Sequence, residues 1–190
     1  MFLLKIVCRV ITKLLVVFVA GLCAATFAHA QQTQSQQTAL GAPSDQLMDY
    51  RNDRFGFRLR YPGSTFKPNE PTSGDGQTFI TDDGRAKIVT HAALNAEKLT
   101  PQAYRKTLMS EYDGYDLLDY QPQGKTWFVL SGFRGDKIFY EKIMFSCGNK
   151  VINVLAVSFP TAEKTKYEPI VEQLEDDFTT GKGAETANLC

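Results

Sequence analysis

The stretch that most constrains the fold of this chain of 190 residues runs from Trp127 to Pro160. It contains three runs rich in β-branched and aromatic residues. Short segments separate the runs, at 134–137 (Arg-Gly-Asp-Lys) and at 147–150 (Cys-Gly-Asn-Lys). Extended runs joined by glycine-containing segments of this length are typical of antiparallel hairpins. The stretch therefore predicts a three-stranded antiparallel meander.

The composition of these strands also predicts how the sheet is covered. A strand with one wet face alternates apolar and polar residues, whereas a strand buried on both faces is apolar almost throughout. In the third run, Val151, Leu155 and Val157 lie on one face and Ile152 and Val154 on the other. Both faces are therefore expected to be covered by other elements, which predicts a layered sandwich of helices and strands.

Residues 1–30 have the features of a secretory signal peptide. Basic residues precede an apolar core, and Ala28-His29-Ala30 is a small-x-small cleavage motif. Cleavage between Ala30 and Gln31 predicts a periplasmic or secreted protein that keeps no stable membrane span. An uncleaved membrane anchor is the alternative.

Removal of the signal segment would leave a slightly acidic protein. The whole chain has 21 basic and 21 acidic residues. The signal segment contains three of the basic ones and none of the acidic ones, which leaves 18 basic against 21 acidic residues. Because a nucleic-acid interface requires a concentration of basic residues, nucleic acid is not an expected partner.

The remaining chain is predicted to contain one domain between two polar segments. Residues 31–47 are rich in Gln and Thr and have almost nothing to bury, so they are expected to be a disordered leader. Residues 182–190 are expected to be a flexible C-terminal tail. The length between them, 48–181, suits a single domain with its own core.

Two cysteines remain after signal removal, Cys147 in a predicted turn and Cys190 at the end of the chain. An even pair in an oxidising compartment is consistent with a disulfide. Two free thiols are the alternative, because the sequence does not give the Cα separation that a disulfide requires.

One predicted strand, Tyr50–Pro62, carries a basic stripe. Aromatic and aliphatic residues recur at every second position from Phe55 to Tyr61, and the opposite face carries Arg54, Arg58 and Arg60. The stripe is a candidate anion-binding or partner-binding site. The alternative, which we favour, is a solvated face of an edge strand whose charges oppose aggregation.

The rest of the chain supplies a hairpin, two helices and a short strand. The hairpin is predicted over 77–91, the helices over 101–111 and 163–179, and the strand over 115–121. Pro169 is unfavourable inside the second helix unless it lies early in it. The predicted order of elements is β-ββ-α-β-βββ-α.

This order, together with several short sequence patterns, resembles PsbP-like domains. The patterns are Tyr50-Arg51-Asn52, Phe55-Gly56-Phe57, Tyr61-Pro62, Gly74-Asp75-Gly76, Asp83-Gly84, the Trp127–Gly132 strand, Phe139-Tyr140-Glu141-Lys142 and the Tyr167–Phe178 helix.

The resemblance spans roughly residues 48–181 and implies an α+β fold, a three-layer α/β/α sandwich around an antiparallel sheet. That family includes a photosystem II extrinsic subunit, a Ran-binding nuclear protein and many secreted bacterial proteins. It therefore implies a binding or assembly role without catalysis. The secretion signal argues against a nuclear role, and no site residue carries over because the shared positions are structural.

The candidate catalytic chemistry is sparse. His91 is the only histidine after residue 30, and one histidine without a second His or Cys nearby cannot form a usual zinc site. The sequence has no Gly-x-Ser-x-Gly elbow, and Ser131, Ser146 and Ser158 lie in predicted strands. We assign no catalytic residue and expect no metal or cofactor.

Three functional hypotheses follow. The favoured one is a non-catalytic interaction or assembly module whose partner is an envelope protein. The second is a carrier or sensor that holds a small apolar or lipid-like ligand between sheet and helix. An enzyme is the least favoured, because acid–base or nucleophilic catalysis needs several convergent titratable groups.

Overall fold

The computed structural model describes residues 46–69, 74–111 and 116–190. The strands are β1 (Leu47–Arg51), β2 (Arg58–Pro62), β3 (Lys67–Pro68), β4 (Gly76–Ile80), β5 (Lys87–Leu94), β6 (Leu117–Tyr120), β7 (Trp127–Arg134), β8 (Lys137–Ser146) and β9 (Val151–Pro160). The helices are α1 (Pro101–Glu111) and α2 (Lys164–Asp177), and a 3-10 turn (Thr161–Glu163) precedes α2.

Within these residues the strands form two antiparallel sheets. A seven-stranded sheet has the order β3-β4-β5-β9-β8-β7-β6, and β1 pairs with β2 in a separate hairpin. The predicted meander is confirmed, since Trp127 pairs with Met144 and Ser146 with Val151. With α1 on one face of the large sheet and α2 on the other, the predicted α+β sandwich is also confirmed.

The predicted strand Tyr50–Pro62 is in fact two strands joined by a tight turn. The side-chain Oδ1 of Asn52 accepts a hydrogen bond from the Phe55 amide at 2.8 Å, and Gly56 has a φ of 82°. An asparagine side chain that bonds to the following backbone favours a turn over a strand. The period-two pattern nevertheless identified the right buried residues, Phe55, Phe57, Leu59 and Tyr61.

One face of the large sheet is covered along its central strands, although Leu117 at its β6 edge is 53% exposed, and we call it the sealed face. It carries Ile88, Leu155 and Phe159, which are at most 2% exposed. Helix α2 packs Tyr167 and Leu174 onto it, and the β1–β2 hairpin adds its own buried aromatic residues to the same core. Each large apolar side chain removed from water in this way stabilises the fold by about 1.5–3 kcal/mol.

Helix α2 begins at Lys164, so Pro169 lies inside it. Proline has no amide N–H, so the helical hydrogen bond to the carbonyl of Thr165 is missing. Packing on the sealed face keeps the helix in place, because Tyr167 and Leu174 on either side of the proline are buried.

The opposite face is covered only in part, and we call it the half-covered face. Tyr104 and Leu108 of α1 pack on a cluster that includes Phe128, Ile143 and Phe145. Beyond that cluster, alternate residues of β5 that lie on this face are exposed or only partly buried. The sequence predicted that helices would cover both faces, but the short α1 covers only part of this one.

The C-terminal residues pack against the domain instead of forming the expected flexible tail. The Ala184 and Glu185 amides donate hydrogen bonds to the carbonyls of Asp53 and Arg54, at 2.9 and 2.8 Å. Thr186 is completely buried. The segment therefore closes over the turn between β1 and β2.

Residues 1–45 lie outside the described part of the chain. The signal segment, its cleavage position at Ala30 and Gln31, and nearly all of the leader remain predictions from the sequence. Among the residues that are described, no helix is both long and apolar enough to cross a bilayer.

Candidate functional site

The half-covered face contains a cleft of about 300 Å³ between the sheet and α1. Its apolar lining comes from the helix and from three neighbouring strands, and includes Val89, Tyr104, Leu108, Ile143, Val154 and Ala156. Polar side chains line the same cleft, namely Lys87, His91, Arg134, Glu141 and Ser158. An apolar concave surface with a few polar groups is the usual composition of a binding site.

The pairing of β5, β9 and β8 arranges the floor of the cleft in three rows. Antiparallel register places one residue from each strand side by side, and alternate residues along each strand share the face. The rows are Lys87–Ser158–Phe139, Val89–Ala156–Glu141 and His91–Val154–Ile143. The first and third rows are four residues apart, which corresponds to about 13 Å along a strand.

The first row and its surroundings form a cationic end. Lys87 is exposed, and no acidic side chain of the described ranges forms an ion pair with it. The guanidinium of Arg134 lies 5.2 Å from the centre of the Phe139 ring, a cation–π contact at the same end. Glu141 in the second row is the one carboxylate of the lining, so the cleft carries two cations and one anion.

Ser158 presents an unsatisfied polar atom in the first row. Its Oγ is buried and has no hydrogen-bond partner in the described chain. A buried hydroxyl without a partner costs about 1–3 kcal/mol relative to a satisfied one. Because most buried polar groups of native folds are hydrogen-bonded, a hydroxyl of this kind is suited to bond with a ligand or a solvent molecule.

His91 lies in the third row, beside apolar neighbours. Withdrawal of the imidazole from water lowers the pKa of His91, and the carboxylate of Asp75 acts weakly in the opposite direction. The ring is therefore neutral at pH 7. Because Ser158 is two rows away, the hydroxyl and the imidazole do not form the hydrogen-bonded pair that nucleophilic catalysis requires.

The cysteine pair forms the disulfide that the sequence left open. Cys147 in the β8–β9 turn is bonded to Cys190, with 4.4 Å between the two Cα atoms. The bond ties the end of the chain to the large sheet. Among the described residues, no group of three His, Cys, Asp or Glu side chains has a geometry that suits a metal ion.

The three arginines of the predicted basic stripe differ in their ion-pair partners. Arg54 forms ion pairs with Asp75 and Glu185, and the Arg60 guanidinium lies 2.8 Å from Asp177. Burial alone would raise the pKa of Asp177, but hydrogen bonds from Arg60 and Gln173 outweigh it and lower the pKa. Arg58 is exposed on β2.

Sequence reasoning missed most of the cleft. Lys87 and Glu141 were not singled out, although Glu141 interrupts the apolar residues of β8 on the half-covered face and Lys87 begins β5 on the same face. A charged residue inside an apolar strand was the available signal. The exposure of these strands depends on the length and position of α1, which the pattern of a single strand does not contain.

Comparison with known proteins identifies the fold. A solution structure of cyanobacterial PsbP (CyanoP) from Synechocystis sp. PCC 6803 is similar over 74% of this chain and 96% of its own, with a TM-score of 0.52 and 12% identity. The Ran-binding protein Mog1p of Saccharomyces cerevisiae is similar over 73% of this chain and 97% of its own, with a TM-score of 0.53 and 9% identity. No protein-family model and no curated protein matches the sequence.

At these identities the similarity shows the fold alone. The chain has the PsbP-like fold that CyanoP and Mog1p share, as its sequence patterns indicated. The match leaves part of this chain uncovered and takes in nearly the whole length of the other two proteins.

Proposed function

We propose that this chain is a non-catalytic interaction module of the cell envelope that binds a partner protein through the half-covered face. The observation that carries the proposal is the unequal covering of the sheet. Helix α2, the β1–β2 hairpin and the C-terminal segment enclose one face, whereas α1 leaves an apolar cleft on the other. An apolar surface with a polar rim is typical of protein-binding sites.

The envelope location is supported by two independent features. Residues 1–30 have the composition of a secretory signal peptide. The disulfide between Cys147 and Cys190 is a bond that persists in oxidising compartments and is rare in the cytosol.

A role in protein binding is supported by one of the structural neighbours. Mog1p is described as a Ran-binding protein, so this fold is able to present a protein-binding surface. The spacing between His91 and Ser158 supports a non-catalytic role, because a general base must lie within hydrogen-bond reach of the proton that it removes.

The cleft favours a second candidate function, the carrying or sensing of a small apolar ligand. Its volume of about 300 Å³ lies at the lower end of the range for small-molecule sites. Its position between sheet and helix is the one expected from the sequence for such a ligand.

Affinity capture with matched variants tests the protein-binding role. The protein would be expressed from its full-length gene, purified in the form that the cell produces, and used to capture proteins from an envelope extract. Ala156→Leu places a larger side chain in the cleft. Ala93→Leu makes the same change on the same face of the sheet, in the neighbouring strand β5, at an exposed position outside the cleft lining.

We expect one partner to be recovered with the wild type and with Ala93→Leu but not with Ala156→Leu. Equal recovery with Ala156→Leu would rule out the cleft as the contact surface. Loss of the partner with Arg58→Gln instead would place the contact on the basic stripe of the β1–β2 hairpin.

A further inference from the structure

We propose that the cleft binds a small amphipathic carboxylate, with the carboxylate at the end formed by Lys87 and Ser158 and the apolar part beneath α1. This inference deepens the second candidate function, because it assigns the ligand class and its orientation.

The polarity of the cleft supports this orientation. Lys87 supplies an ammonium group that no carboxylate of the described chain pairs with, and Arg134 supplies a second positive charge at the same end. A cation at the rim of a low-dielectric cleft attracts an anion more strongly than a cation in open water does. The polar part of a ligand is therefore drawn to the first row.

The Ser158 hydroxyl supplies a donor at the same position. It is the cross-strand neighbour of Lys87, and it is buried without a hydrogen-bond partner in the described residues. A carboxylate oxygen would give this hydroxyl the acceptor that the chain does not provide. A hydrogen bond to a charged acceptor is roughly twice as strong as one between neutral groups.

The other end of the cleft is lined mainly by apolar side chains. In the third row, Val154 and Ile143 form the floor, and Leu108 of α1 lies over them. His91 at this end is neutral at pH 7 because its pKa is lowered. The distance of about 13 Å between the first and third rows separates the polar and apolar parts of one ligand.

The volume limits the size of the ligand. A molecule of liquid water occupies about 30 Å³, so a cleft of about 300 Å³ has room for roughly ten non-hydrogen atoms. Octanoate has about this size and combines one carboxylate with one unbranched apolar chain. It is therefore the probe that we choose.

Glu141 is the lining group that opposes an anion. It lies in the second row, next to Ala156. Removal of its charge is therefore expected to act in the opposite direction to removal of the charge of Lys87. Glu141→Gln should increase the affinity for octanoate, whereas Lys87→Gln should decrease it.

Isothermal titration calorimetry with octanoate, 1-octanol and octylammonium tests the proposal on the purified protein. We expect octanoate to bind at least fivefold more tightly than octanol, and octylammonium to bind most weakly. Lys87→Gln should weaken octanoate binding about fivefold and leave octanol binding unchanged. Lys125→Gln is the matched control, because Lys125 is exposed and lies outside the cleft.

The alternative outcomes separate this inference from the function on which it rests. Octanoate and octanol could bind with equal affinity, with Ala156→Leu blocking both and Ala93→Leu blocking neither. That result would overturn the carboxylate assignment and keep the carrier function. Binding of neither probe at millimolar concentration would overturn both. Octanoate binding that Ala156→Leu does not affect would place the ligand elsewhere and overturn the inference.

Discussion

The two faces of the large sheet have similar apolar strands but very different covers. On the sealed face, α2 with its 14 residues acts together with the β1–β2 hairpin, and Leu155 and Leu174 are completely buried. On the half-covered face, α1 has 11 residues and is the only helix that packs there within the described residues. Apolar strand residues therefore predict that a sheet face is covered, but they do not predict how much of it is covered. On the half-covered face the incomplete cover leaves the apolar cleft.

The largest expected effect comes from a matched pair of leucines, one on each helix. Leu174→Ala should lower the free energy of unfolding by about 4 kcal/mol, because it creates a cavity in a fully packed core. Leu108→Ala should cost only about 1 kcal/mol, because Leu108 is partly exposed beside the cleft. Urea denaturation measures the free energy of unfolding of both variants. Similar losses of free energy at Leu174 and Leu108 would show that the two faces are equally well packed.

The next effect concerns the disulfide, which belongs to the sealed side. Cys147→Ser combined with Cys190→Ser should lower the free energy of unfolding by about 3 kcal/mol, because the closed loop of the unfolded chain is released. Hydrogen exchange should become faster at the Ala184 and Glu185 amides by a larger factor than at Ile143 in the central strand β8.

A reductant provides the control for this prediction. It should destabilise the wild type by a similar amount and leave the double variant unchanged. An equal loss of protection at Ile143 and at the two C-terminal amides would mean that the C-terminal segment and the sheet unfold as one unit.

A smaller effect is expected at the turn that the C-terminal segment covers. At Gly56, φ is positive and an added Cβ would overlap the Lys182 carbonyl carbon, so Gly56→Ala should cost about 3 kcal/mol or slightly less. Gly84 also has a positive φ but is surrounded by open space, so Gly84→Ala should cost about 1 kcal/mol. Thermal and urea unfolding of the Gly56→Ala and Gly84→Ala variants measures the two losses of free energy of unfolding. Equal losses for the two variants would contradict close packing of the C-terminal segment on Gly56.

The smallest effect is a pH dependence that belongs to the cleft. The pKa of His91 is lower in the folded protein than in the unfolded chain, where it is about 6.5. Between these two pKa values the unfolded state binds more protons, so stability decreases as the pH falls below about 6.5 and levels off below the folded pKa. His91→Gln should flatten the stability curve in this window.

NMR titration of the imidazole supplies the direct measurement for His91. The midpoint of the titration should lie below about 6.5. It should fall further when octanoate occupies the cleft, because the apolar chain beside His91 withdraws the imidazole from water while the carboxylate lies about 13 Å away. A midpoint at or above 6.5 would contradict the apolar surroundings that we assign to the third row.

Much of the fold could be predicted because it depends on local patterns. The meander follows from turn residues and strand composition between Trp127 and Pro160, and the buried residues from Phe55 to Tyr61 follow from their period-two spacing. The turn between β1 and β2 could not be predicted from that spacing, since Asn52 and Gly56 break the strand without interrupting the apolar pattern.

The cleft and the C-terminal segment were not predictable for a different physical reason. Residues 182–190 are polar and lack periodicity, and they are held by backbone hydrogen bonds and by one covalent bond. Glu141 and Ser158 lie on the consecutive strands β8 and β9, whereas Lys87 comes from β5, which is distant in sequence and meets β9 only in the sheet. Their juxtaposition is a property of strand order.

The sequence by itself determined the antiparallel meander, the sandwich class and the presence of one cysteine pair after residue 30, because each depends on residue type and spacing along the chain. Only the tertiary structure decided that the cysteines meet, that one face is sealed and that the other keeps a cleft. The physical reason is that burial depends on which element packs against a strand, and helices of 11 and 14 residues cover different areas of the same sheet.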